Sequence, residues 1–91
     1  MADTRQAIDD TRRAQVLLDK IRARPKAHRF GPLIAPQVDE MRGWVELALI
    51  GGYGLEADVA QTLARLVVVR LARGDVSVAE AILRVREDRG N

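Results

Sequence analysis

Residues 56–73 read EADVAQTLARLVVVRLAR, and their apolar positions recur at helical rather than strand spacing. Val59, Ala60, Leu63, Ala64, Leu66, Val67, Val68, Leu71 and Ala72 cover most of the circumference, while Asp58, Gln61, Thr62 and Arg65 leave one polar stripe with a period of about 3.6. The β-branched run Val67 to Val69 would also suit a strand. A strand needs a partner, however, and no second alternating run of comparable quality exists in the chain. The segment therefore predicts the central helix of an all-α fold.

On its C-terminal side, Gly74 closes this helix and Ser77 with Glu80 supplies a capping box for the next. That fourth helix, residues 78 to about 88, should bury Val78, Ala81, Ile82 and Val85 and pair Glu80 with Arg84 at i, i+4. The polar residues from Arg86 onward should fray. On the N-terminal side, the glycines of Gly51-Gly52-Tyr53-Gly54 read as a helix end and turn. They are no phosphate cradle, because neither a Walker lysine nor dinucleotide-type glycine spacing accompanies them. The helix they end should begin around Pro36, which suits a first turn, and run to about Ile50 with Val38, Met41, Val45, Ala48 and Leu49 inward. Gly43 weakens it by about 0.5–1 kcal/mol relative to Ala, which suggests close approach by the first helix.

The first helix is expected over residues 4–23, with Asp3 as N-cap and Gln6 three positions on. Its seam is narrow: Ala7, Thr11, Ala14, Leu18 and Ile21. The opposite face offers Arg5/Asp9 and Asp9/Arg13 pairs at i, i+4, each worth about 0.2–0.5 kcal/mol, so docking must supply most of its order. Pro25 stops this helix, and the apolar loop residues Phe30, Leu33 and Ile34 should plug one end of the molecule. The expected architecture is a small four-helix bundle-like domain spanning residues 1–91, with a tight turn between the last two helices.

Composition bounds the function. The chain has 91 residues, is 47% hydrophobic and has no cysteine, which excludes disulfide scaffolds, thiolate nucleophiles and Cys-based zinc sites. Three aromatic residues, Phe30, Trp44 and Tyr53, are too few for a base-stacking platform. No 18-residue apolar run and no signal-peptide pattern occur, so no membrane association and a cytoplasmic address are expected. Catalysis would need a nucleophile with a base, a convergent carboxylate pair or a metal cluster. Asp9 and Asp10, or Asp39 and Glu40, are adjacent and point about 100° apart on a helix; Ser77 reads as a cap, and His28 stands alone. A non-enzymatic protein without cofactor, metal or evident small-molecule substrate is the expectation.

Charge and surface leave two binding readings. Residues 1–30 carry eight Lys/Arg against four Asp, and the remainder seven against nine acids. Lys20, Arg22, Arg24, Lys26 and Arg29 are candidate nucleic-acid contacts, although cations at a helix C-terminus are also favoured by its dipole. The last two helices loosely resemble a helix-turn-helix, but a reading helix here would offer only Ser77, Glu80 and Arg84. The favoured reading is an interaction module that binds itself or another protein. The apolar surplus of the second and third helices supports it, with Trp44, Leu47 and Ile50 as candidate interface residues.

Overall fold

Small residues set how the first two helices meet. The structure is a computed structural model that describes residues 4–25 and 35–88. Four helices form: α1 (Thr4–Arg22), α2 (Ala35–Tyr53), α3 (Ala57–Arg73) and α4 (Val78–Asp88). They build the expected all-α, bundle-like domain, with no strand among the described residues. Asp3, Lys26, His28, Arg29, Phe30, Leu33 and Ile34, to which the sequence assigned roles, lie outside the described residues.

The most extensive pairing is α1 on α2, with α3 packed on α2 and α4 closing the far side. Leu18 and Ile21 of α1, Met41, Val45 and Leu49 of α2, Val67 and Leu71 of α3 and Val78 of α4 are the largest fully buried side chains. The N-terminal half of α1 contributes little bulk to this core, only Ala7 and Ala14 among apolar residues. Asp10 is the surprise on that face, 2% exposed, with Gln6 Nε2 donating to its Oδ1 at 3.0 Å. Thr11, expected in the seam, is half-buried and turns its hydroxyl back onto the Ala7 carbonyl.

Several expectations need correction. α2 does not end at Ile50: Gly51, Gly52 and Tyr53 are helical, and the chain turns at Gly54, where φ is +67°. The reason lies across the interface, because a Cβ on Gly52 would sit 2.9 Å from the Ala7 Cβ. Close packing on α1 therefore outweighs the helix-breaking tendency of paired glycines. Gly43, expected to admit α1, has nothing within 4 Å of the place a Cβ would take.

α3 is not the central helix either. Its apolar residues span too wide an arc for the neighbours it has, so Val59, Leu66 and Val69 remain exposed while Ala60, Leu63, Ala64, Val67 and Leu71 are buried. α4 ends at Asp88, as expected, but its last residues, expected to fray, are ordered as helix. Arg86 to Asp88 are helical, because the Arg86 guanidinium stacks 3.9 Å over the Tyr53 ring and Asp88 pairs with Arg70. The buried set Val78, Ala81, Ile82 and Val85 is as expected.

Candidate functional site

Between α1, the C-terminal end of α2 and α4 runs an open apolar groove of about 430 Å³. It exists because the facing residues are small: Ala7, Ala48, Gly52 and Ala79 line it, and α1 touches α4 less extensively than the other packed helix pairs touch each other. Large apolar side chains stand at its margin instead of filling it. Ile8, Tyr53 and Leu83 are 49, 40 and 53% exposed.

Arg12 is the one charged residue lining this groove, and no carboxylate does so. Arg12 has no ion-pair partner among the described residues. Arg86 brings a second positive charge to the groove's margin through its stack on Tyr53. A smaller groove of about 340 Å³ lies between α3 and α4, where Leu66, Val69 and Val85 are flanked by Arg73 and the Arg70–Asp88 pair. Both surfaces suit burial of apolar area with charges at the edge. Among the described residues no group of acids and histidines is arranged to hold a metal ion.

The candidate interface residues divide. Leu47 and Ile50 are exposed on the outer face of α2, whereas Trp44 packs partly against the core and carries the Arg13 guanidinium 4.7 Å above its ring. The anticipated Arg5/Asp9 and Asp9/Arg13 pairs do not form among the described residues, and Arg13 lies over Trp44 instead.

The candidate phosphate contacts divide as well. Lys20 and Arg24 are exposed. Arg22 turns inward: its Nη2 donates to the Gly74 carbonyl at 2.8 Å and lies 3.4 Å from that of Leu71, capping the C-terminal end of α3. On α4, Ser77 Oγ accepts the Glu80 N–H at 3.1 Å, so the cap is present, but the Glu80 carboxylate takes Arg84 at 2.7 Å and does not complete the box. Ser77, Glu80 and Arg84 are thus engaged with one another.

Gln15 drew no attention in the sequence. Its Oε1 accepts the Val78 N–H at 2.8 Å, capping α4 from α1, while its Nε2 donates to Asp19. Nothing local signals this role, since donor and acceptor are 63 positions apart.

No family model matches the chain, and neither a curated protein nor a solved structure matches it. None of the described helices is long and apolar enough to cross a membrane.

Proposed function

We propose that this protein is a non-enzymatic helical interaction module that takes an apolar helix of a protein partner into the groove between α1 and α4. The observation that carries this reading is the apolar margin of the groove, where Ile8, Tyr53 and Leu83 stand exposed around a floor of small residues. An amphipathic helix laid there would cover surface that the chain leaves open to water. A fluorescent synthetic helical peptide with Leu and Ala on one face and Glu and Gln on the other tests it. With the protein held at concentrations where it is monomeric, saturable binding that Leu83→Glu abolishes is expected; no binding, or binding indifferent to that substitution, overturns the reading.

Phosphate binding by the basic segment is the second reading. It is favoured by the Arg22–Gly74 contact, which brings the C-terminal end of α3, with Arg73, to the same end of the molecule as Lys20 and Arg24. Each phosphate neutralised by this segment would add about −0.9 to the log–log salt slope on duplex DNA, and a slope near zero would reject this second reading.

A further inference from the structure

The groove has a matching surface on the same molecule. On the outer side of α2, Glu40, Gly43, Leu47 and Ile50 follow one another at spacings of three, four and three, so they form one stripe. Its apolar members are exposed, and the acids Asp39 and Glu46 flank it. Asp39 is paired with Arg42, whereas Glu40 and Glu46 have no ion-pair partner among the described residues. Gly43 weakens the helix relative to Ala and meets no neighbour from within the chain where a Cβ would stand. An outside helix could approach the backbone closely at that point.

The stripe and the groove are opposite in charge and alike in apolarity. Arg12 lines the groove, Arg86 stacks on Tyr53 at its margin and no carboxylate lines it, while the stripe carries Glu40 and Glu46. The two surfaces also adjoin, because Ile50 lies one helical turn before Tyr53, which lines the groove.

We infer that the occupant of the groove is the outer α2 stripe of a second copy of this chain, with Leu47 and Ile50 set against Ile8 and Leu83 and the stripe's carboxylates set against Arg12 and Arg86. This rests on the reading of the groove as a helix-docking site and names its partner. One helix in one groove is a small contact for a stable complex. A twofold axis makes the same contact twice and closes the assembly at a dimer.

The test is the mass of the full chain by sedimentation equilibrium at about 100 μM, about a hundredfold above a micromolar dissociation constant. A dimer is expected. Leu83→Glu in the groove and Ile50→Glu on the stripe should each weaken it at least about tenfold with helix content unchanged, since both side chains are exposed in the single chain. A monomeric wild type, or a dimer indifferent to either substitution, overturns the inference. A monomer that still binds the synthetic peptide through Leu83 rejects self-pairing and keeps the groove as a docking site. A monomer that binds no peptide rejects both.

Discussion

Arg22 Nη2 donates to the Gly74 carbonyl at 2.8 Å, joining α1 to the turn between α3 and α4 across 52 positions of sequence. Two helical turns earlier, Gln15 accepts the Val78 N–H on the other side of the same turn. One face of α1 thus supplies a cation to the C-terminal end of α3 and an acceptor to the N-terminal end of α4, the polarity each end requires. α4 has 11 residues and is too short to be stable alone, so these contacts help hold it in place.

Replacing Arg22 by Leu should therefore cost about 1 kcal/mol, below the roughly 1.5–3 kcal/mol of a charged hydrogen bond because the site is partly open to water. Urea denaturation measures it. An unchanged midpoint would mean that water satisfies the α3 carbonyls equally well.

At the other end of the turn, Ser77→Ala should cost about 1 kcal/mol through loss of the cap on α4. Gln15→Leu should cost a similar amount, and the two should couple rather than add, because both cap the first turn of α4, at the N–H groups of Glu80 and Val78. A double-mutant cycle on unfolding midpoints checks this.

Two of the three glycines of α2, Gly43 and Gly52, should respond in opposite directions to the same substitution. Gly52→Ala should destabilise by about 1–3 kcal/mol, because the new methyl meets Ala7 at 2.9 Å. Gly43→Ala should stabilise the monomer by about 0.5–1 kcal/mol, since the position is helical and open. Adding Ala7→Gly to Gly52→Ala should recover part of the loss. Thermal melts of the three variants and the wild type, at concentrations where the chain is monomeric, decide the matter.

Trp44→Ala should act on the fold more than on any interface. The ring packs against the core and beneath Arg13, so its removal should cost about 1–2 kcal/mol of monomer stability. If association weakens while the monomer's midpoint stays put, Trp44 belongs to the docking surface after all.

What the amino-acid sequence determined by itself is what depends on a few neighbouring residues. The 3.6-residue period of α3, the four buried positions of α4 and the Ser77 cap are all local, with spacings of three or four, and local geometry alone specifies them. The Glu80–Arg84 pair formed for the same reason. Tertiary structure decided the rest. Which glycine faces a neighbour depends on where α1 crosses α2, and that crossing keeps Gly51 and Gly52 helical where their composition alone reads as a turn. Arg22 resembled one more member of a basic run until α3 ended beside it, and Arg13 was nearer in sequence to Asp9 but lies over Trp44. The groove has the same origin: Ala7, Gly52 and Ala79 come from three helices, and only their packing makes a cleft of residues that are individually too small to notice.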